Sequence, residues 1–279
     1  MRIKIPLHVS GIWIPHYSSS PVETGSVGAG LNISIYVESL VKRGPCKILL
    51  NNEEVFPRNA NELCSELGVS VLSNINSPIR LGSGFGLSAA VFITHALGSY
   101  LLVGKPSIQA LQRAHVLEVV NLTGLGDVIS EYTGGFTVRA RPGAPGIGYA
   151  YRVIPREQVS LLVAELGRCE DTSSMLKRMS TSMIEQGRAM LRRVIETEDL
   201  KTYFDHSREF TSRLYSYTLV DDILSKVKGV IGYYLKKSAL VIWIEKEYVN
   251  DIVEILVNNG IRTHFASISQ VGVTVDYPP

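Results

Sequence analysis

The chain has 279 residues, of which 45% are hydrophobic and 19% are charged, and its formal net charge is +2. This length and apolar content allow a sizeable core in one large domain or two compact ones, and we predict two. The small net charge, without basic runs that carry interleaved aromatic residues, argues against nucleic-acid binding and against a membrane surface as partner.

The N-terminus and the cysteines indicate an ordinary intracellular protein. Residues 1–15 are apolar but are interrupted by charged residues, proline and glycine, so they predict neither a signal peptide nor a membrane span. Cys46, Cys64 and Cys169 are isolated and lack the paired spacing of a zinc site or a disulfide framework. We therefore expect reduced cysteines and a cytoplasmic location.

The first half of the chain alternates short β-type segments with helical ones. The predicted strands are 2–5, 31–38, 46–50, 77–81, 135–141 and 149–154, and the predicted helices are 59–67, 87–103 and 107–120. This order places a glycine-rich stretch directly before the helix at 87–103.

The sequence pattern changes at about residue 157. The predicted elements of this second half are a strand at 158–164, long helices at 172–196 and 198–216, a strand at 239–245, a helix at 247–258 and strands near 261–269 and 271–276. The pattern predicts an α+β unit whose helices cover one face of a small antiparallel sheet. We predict domains at 1–156 and 157–279.

The glycine-rich stretch is the most informative motif. It reads Gly82-Ser83-Gly84-Phe85-Gly86-Leu87-Ser88-Ala89 and runs straight into an apolar helix. Glycine permits positive φ and close approach, and the unpaired N–H groups of a helix start favour an anion such as phosphate. Ser88 could add a hydroxyl to a phosphate oxygen or to its metal ion. The alternative is a helix start that binds nothing.

Two candidate side chains follow on the helix predicted at 107–120. His115 and Glu118 are three residues apart and share a helix face. Glu118 lies among valine and leucine residues, where a carboxylate needs a partner such as a divalent cation. The alternatives are a solvated helix edge for Glu118 and a hydrogen-bonded, partly buried histidine for His115.

A second carboxylate, Asp127, lies in the glycine-rich segment Thr123-Gly124-Leu125-Gly126-Asp127. It is either a turn residue that bonds its own backbone or a group that orients a substrate hydroxyl. A phosphate-type turn, a metal-binding carboxylate and a carboxylate at an acceptor hydroxyl are what phosphoryl transfer from ATP requires, and their combination favours the functional interpretation.

These features resemble the GHMP kinase superfamily and, within it, the archaeal pantoate kinase family. The matching segments are 8–11 (HVSG), 23–32 (ETGSVGAGLN), 86–90 (GLSAA), 114–118 (AHVLE), 123–127 (TGLGD) and 134–146 (GGFTVRARPGAPG). The resemblance implies a two-domain α+β fold with an N-terminal ribosomal S5 domain 2-like unit and a C-terminal ferredoxin-like sandwich. It also implies ATP-dependent phosphorylation of (R)-pantoate to 4-phosphopantoate on the route to coenzyme A.

Carried onto this chain, the resemblance implies specific roles. Residues 82–89 would hold ATP, Ser88 and Glu118 would bind Mg²⁺ and the phosphates, and Asp127 would lie at the reacting hydroxyl. The implied substrate-binding residues are Ser26, His115, Arg139 and Thr172. Arg139 suits the substrate carboxylate because guanidinium binds both oxygens, with Arg141 as a competitor on the same strand face. Thr172 has an alternative role as a helix N-cap.

The chain departs from the superfamily pattern in two places. The third, C-terminal glycine motif has only a thin counterpart around Gly229 and Gly232, and the N-terminal lysine of some relatives has no match beyond Lys4, which we do not assign. The alternatives to a pantoate kinase are a kinase for mevalonate or homoserine, and a nucleotide-binding regulator without catalysis. The resemblance further implies a homodimer.

Overall fold

The computed structural model describes residues 1–167 and 170–277 and has an α+β fold built on two β-sheets. The strands of the larger sheet are β1 (Arg2–His16), β2 (Gly25–Arg43), β3 (Lys47–Leu50), β4 (Glu53–Glu54), β5 (Val71–Asn76), β6 (Phe136–Arg141), β7 (Tyr149–Val153) and β12 (Thr274–Asp276). Their order is β12-β1-β2-β5-β3-β4, and β6 pairs with both β2 and β7. The α+β class is therefore as predicted.

The antiparallel pair β1–β2 is the backbone of this sheet and is much longer than predicted. It runs from Arg2 opposite Leu40 to His16 opposite Gly25. The prediction stopped short because Pro6 and His8 interrupt the apolar pattern of β1, and the glycine-rich segment 25–30 interrupts that of β2. His8 is fully buried, and buried polar side chains are kept inside a protein by hydrogen bonds.

Four helices accompany the large sheet: α1 (Pro57–Leu67), α2 (Leu87–Leu102), α3 (Ser107–Val120) and α4 (Asp127–Thr133). The first three were predicted, whereas α4 has only seven residues, too short for a helical period to be recognised. The strand predicted at 77–81 is wrong, because the strand ends at Asn76 and a loop follows. Within the residues that the structure describes, no helix combines the length and the apolar character needed to cross a membrane.

The smaller sheet is antiparallel, with strands β8 (Ser160–Glu165), β9 (Val230–Lys236), β10 (Ala239–Ile244) and β11 (Thr263–Ala266) in the order β11-β8-β10-β9. Its helices are α5 (Thr172–Lys177), α6 (Thr181–Thr197), α7 (Leu200–Thr211), α8 (Thr218–Leu224) and α9 (Val249–Asn258), with a 3₁₀ turn at Lys246–Tyr248. The helix predicted at 172–196 is divided because Ser180 caps a new helix by accepting a hydrogen bond from Met183 N. The helix predicted at 198–216 ends at Thr211, and β9 was not predicted.

The two halves of the chain pack closely on each other. The last strand, β12, pairs with β1, and the hydroxyl of Tyr234 on β9 donates to the Val9 carbonyl on β1. Gly11 lets α7 approach β1, because a Cβ there would lie 2.0 Å from Ser207 Oγ. The boundary at 156/157 remains a prediction.

The cysteines differ from the expectation. Cys46 and Cys64 are joined by a disulfide, with their Cα atoms 6.2 Å apart. The expectation of reduced cysteines is therefore wrong for this pair, because α1 folds back onto β3 and brings together two residues that are 18 positions apart. Cys169 lies outside the described residues.

Candidate active site

A cavity of about 360 Å³ lies where the glycine turn, the loop before α4, the start of α5 and the β9–β10 turn meet. The predicted site residues that line it are Ser26, Gly82, Ser83, Gly84, Phe85, Gly86, Leu87, Ser88, Asp127 and Thr172. The side chains of His115, Glu118 and Arg139 are fully buried behind the cavity wall and do not line it. Ala89 is buried in the first turn of α2.

The glycine turn has the conformation that its composition predicts. Gly82, Gly84 and Gly86 have φ of 80°, 102° and 74°, values that favour glycine over any other residue. A Cβ at Gly84 would lie 2.2 Å from the Lys236 carbonyl oxygen. Helix α2 begins directly after Gly86, so its free N–H groups and the positive end of its dipole are placed at the cavity.

Asp127 is the first residue of α4 rather than part of the preceding glycine loop, and it is only 8% exposed. Its Oδ1 lies 2.7 Å from Nδ1 of His8 and 3.4 Å from Nζ of Lys236. Burial raises the pKa of Asp127, but the charge of Lys236 and the hydrogen bond with His8 outweigh it, so the pKa falls below its ordinary value. The carboxylate is therefore ionised at neutral pH.

Arg139 fixes the tautomer of His8. Its Nη1 donates to Ser130 Oγ at 2.8 Å and faces Nε2 of His8 at 3.5 Å, and its Nη2 donates to Ser10 Oγ at 3.2 Å. Burial lowers the pKa of His8 to about 4, so the ring is neutral. Because guanidinium can only donate, Nε2 of His8 accepts and Nδ1–H donates to Asp127.

The two arginines of β6 differ in position. A bulge between Arg139 and Arg141 shifts the register against β7, so the expectation that they share a strand face is wrong. Arg139 is fully buried and Arg141 is exposed. Of the two candidates for the substrate carboxylate, only Arg139 lies next to the cavity wall: Gly126 lines the cavity, and a Cβ there would lie 2.7 Å from Nε of Arg139.

Two buried carboxylates lie near Asp127. Neither oxygen of Glu118 or of Glu131 has a hydrogen-bond partner in the described structure. Burial and the charge of Asp127 raise the pKa of Glu118 to about 8 and also raise that of Glu131. Glu131 lies against the glycine turn, since a Cβ at Gly86 would be 2.5 Å from its Oε1. Unpaired buried carboxylates are costly without a cation.

His115 and Thr172 make backbone contacts that shape the cavity. Nε2 of His115 donates to the Thr24 carbonyl at 2.7 Å, which anchors the segment that carries Ser26. The Thr172 hydroxyl donates to the Thr123 carbonyl at 2.5 Å and accepts from Nζ of Lys237 at 2.8 Å. The N-cap of α5 is Asp171, so the alternative N-cap role for Thr172 is wrong.

Sequence reasoning missed four residues at this site: His8, Glu131, Lys236 and Lys237. Glu131 follows Asp127 by four residues in a helix too short to be predicted, and Lys236 is the last residue of β9, a strand that was not predicted. Lys4, which was not assigned, pairs with Glu38 at 3.3 Å on the surface. The sequence did contain a signal for Lys236, because the adjacent lysines Lys236 and Lys237 lie between two apolar segments. Charged side chains in such surroundings are rarely buried without a partner.

The chain is similar in sequence to archaeal pantoate kinases. It is 28% identical to that of Thermococcus kodakarensis over 261 residues, which cover 88% of this chain and 85% of the relative. It is also 28% identical to that of Methanocaldococcus jannaschii over 213 residues, covering 74% and 77%. No protein-family model matches the chain.

Solved structures share the fold. A phosphotransferase related to the coenzyme A biosynthesis pathway superposes with a TM-score of 0.83 at 24% identity, covering 99% of both chains. Mevalonate-3-kinase of Thermoplasma acidophilum superposes with a TM-score of 0.69 at 14% identity, covering 100% of this chain and 98% of that one. The recognition made from the motifs is thus confirmed: the chain is a sequence relative of the archaeal pantoate kinases and has the fold of the GHMP kinase superfamily.

Proposed function

We propose that the protein is a pantoate kinase that transfers the γ-phosphoryl group of ATP to (R)-pantoate and forms 4-phosphopantoate for coenzyme A biosynthesis. The observation that carries this function is the position of Asp127. An ionised carboxylate, bonded to His8 and Lys236, lines the same cavity as a glycine turn at a helix start. Similarity to pantoate kinases supports the choice of acceptor.

The donor nucleotide binds at residues 82–89 in this proposal. The positive φ of Gly82, Gly84 and Gly86 exposes backbone N–H groups, and α2 directs its positive end toward the phosphates. Ser88 lies in the first helical turn and lines the cavity. Its hydroxyl is placed for a phosphate oxygen or for the metal ion.

The buried carboxylates fit Mg²⁺. Among the described residues, no group of three or more His, Cys, Asp or Glu side chains could hold a metal ion alone. Mg²⁺ in kinases is held by one or two carboxylates together with phosphates and water, and the unpaired oxygens of Glu118 and Glu131 suit that arrangement, with Ser88. The ion would neutralise charge on the β- and γ-phosphates.

Asp127 positions the acceptor hydroxyl. Its depressed pKa makes it a weak base, which is sufficient because the transition state of phosphoryl transfer is loose and needs orientation more than early deprotonation. His8 holds one carboxylate oxygen and Lys236 balances its charge. The hydroxyl proton passes to the carboxylate as the phosphoryl group is transferred.

The remaining side chains recognise the small acid. Ser26 and Thr172 line the cavity and offer hydroxyls for the polar groups of pantoate. Arg139 places a positive charge behind Gly126, where it attracts the substrate carboxylate, and its Nε has no hydrogen-bond partner in the described structure. His115 acts by anchoring the Thr24–Ser26 segment.

The decisive experiment measures ADP release from ATP and Mg²⁺ by the purified protein, with pantoate, mevalonate or homoserine as acceptor. Turnover with pantoate alone supports the proposal. Turnover with mevalonate or homoserine instead would identify another kinase of the superfamily. ATP binding without turnover on any acceptor would identify a regulator, although such a protein would have no chemical need for both Glu118 and Asp127.

A homodimer in the cytoplasm is the setting that we propose for this activity. The expected partner beyond the small-molecule substrate is a second copy of the chain, without nucleic acid or membrane. Size-exclusion chromatography with light scattering tests the dimer, and a monomer at micromolar concentration would contradict it. Cell fractionation tests the location.

A further inference from the structure

The turn between β9 and β10 is held against the glycine turn. Lys236 pairs with Ala239 across the hairpin, so Lys237 and Ser238 form a two-residue turn. The hydroxyl of Ser238 donates to the Ser83 carbonyl at 3.1 Å, and a Cβ at Gly84 would lie 2.2 Å from the Lys236 carbonyl oxygen. The β9–β10 turn, which follows the thin counterpart of the third family motif, is therefore part of the cavity wall.

Lys237 has an unfavourable backbone conformation in this turn. Its φ is 56°, in the left-handed region that two-residue hairpin turns usually give to glycine or asparagine. A lysine in that conformation is strained relative to glycine. Residues retained in such conformations are concentrated at functional sites, where the side chain has a use that offsets the cost.

The ammonium group of Lys237 has no anionic partner among the described residues. Lys236, its neighbour, is paired with Asp127, whereas Nζ of Lys237 donates to the neutral hydroxyl of Thr172. Burial and the charge of Lys236 lower the pKa of Lys237 to about 8. Asp127, Glu170 and Asp171 act on this half-buried ammonium without forming an ion pair with it. Because Lys237 lines the cavity, its ammonium can pair with an anion that binds there.

The position of Lys237 identifies that anion as a phosphate of the donor rather than the acceptor carboxylate. A Cβ at Gly84 would lie 3.3 Å from Cβ of Lys237, so the lysine stands beside the turn that holds phosphate in the proposed function. Arg139 is the cation behind Gly126, Ser10 and Ser26, where the acceptor acid would lie. The ammonium of Lys237 also donates to Thr172, so it lies between the phosphate turn and the acceptor site, where a transferred phosphoryl group would pass.

We propose that Lys237 is a further catalytic residue, which binds the γ-phosphoryl group of ATP during its transfer to the acceptor. This inference rests on the proposed function. The β9–β10 hairpin supplies two cations to the reaction: Lys236, at the end of β9, balances the charge of Asp127, and Lys237, in the turn, neutralises charge on the transferred group.

The test compares nucleotide binding by Lys237→Met, Lys237→Arg and the control Lys246→Met, an exposed lysine beyond β10. Calorimetric titrations use a non-hydrolysable ATP analogue and ADP, each with Mg²⁺ and without acceptor. Loss of a charge-assisted hydrogen bond predicts that Lys237→Met binds the ATP analogue about tenfold or more weakly. Its affinity for ADP should stay within about threefold, and Lys237→Arg and Lys246→Met should resemble the wild type.

Three results would overturn the assignment. They are unchanged affinity for the ATP analogue, an equal loss for the ATP analogue and ADP, and a raised KM for pantoate with nucleotide affinity intact. Where thermal unfolding shows that Lys237→Met is damaged, Lys237→Gln provides the same comparison. A wild-type protein that prefers the ATP analogue through Lys237 but releases no ADP with pantoate would contradict the proposed function and leave Lys237 as a residue that binds the γ-phosphate.

Discussion

Asp127 accepts a hydrogen bond from Nδ1 of His8 at 2.7 Å, across 119 positions of sequence. His8 lies in the middle of β1, and Asp127 begins α4. Arg139 donates toward the other ring nitrogen of His8, so the proton is held on the atom that faces the carboxylate. The carboxylate of Asp127 is thus oriented by residues of the large sheet, and substrate binding is not needed to fix its orientation.

Asp127→Asn should remove most of kcat, by a factor of about 10² to 10⁴, and leave ATP affinity nearly unchanged. The amide keeps the size of the side chain but cannot take the hydroxyl proton. Steady-state ADP release and ATP titration measure the two effects. Asp205→Asn, at an exposed ion pair on α7, is the control, and an unaltered kcat for Asp127→Asn would remove this residue from the reaction.

Arg139→Ala should raise the KM for pantoate by about tenfold or more, because the acceptor carboxylate loses its cation. The thermal midpoint should also fall, since Ser10 and Ser130 lose their donors. Arg141→Ala removes an exposed arginine of the same strand and should change neither quantity. A KM that stays at the wild-type value in Arg139→Ala would place the carboxylate elsewhere.

Gly86→Ala should abolish measurable ATP binding or unfold the turn. The new Cβ would lie 2.5 Å from Oε1 of Glu131, in addition to the strain of φ 74°. Gly104→Ala is the matched control, because its φ is 71° and nothing lies within 4 Å of the added atom. Gly104→Ala therefore introduces only the backbone strain of a positive φ, which costs about 1 kcal/mol. Equal ATP affinity in both variants would show that the contact with Glu131 has no role.

Stability should fall with acidity through His95, a buried residue of α2 bonded to Ser73. Burial lowers the pKa of His95 from 6.5 to about 4. As the pH falls, the His95 ring therefore takes up a proton in the unfolded chain before it does so in the folded protein. The free energy of unfolding is unaffected by this residue above pH 6.5 and falls by about 3 kcal/mol between pH 6.5 and pH 4.

Urea unfolding of the wild type and His95→Gln between pH 7 and pH 4 measures that loss. The free energy of unfolding should decline less with acidity in His95→Gln than in the wild type, by about 3 kcal/mol between pH 7 and pH 4. His264→Gln, at a half-buried position of β11, is the control. Parallel curves for the wild type and His95→Gln would refute the prediction.

Local sequence patterns were sufficient to predict several features of this protein. The glycines at 82, 84 and 86 predicted a turn of positive φ before a helix, because only glycine adopts that backbone without strain. Apolar periodicity predicted α2 and α3, and the combination of the turn with Glu118 and Asp127 further along the chain indicated phosphoryl transfer. The turn and the helices depend on neighbours within a few residues, which a sequence displays directly.

Tertiary structure alone decided which distant side chains meet. The contacts of Asp127 with His8 and Lys236 span 119 and 109 positions, and no local rule links them. The bulge that separates Arg139 from Arg141 and the pairing of Cys46 with Cys64 also depend on how the chain folds back. Burial then sets the charge states: the same carboxylate type is ionised at Asp127, where Lys236 and His8 are close, and resists ionisation at Glu118, where desolvation dominates.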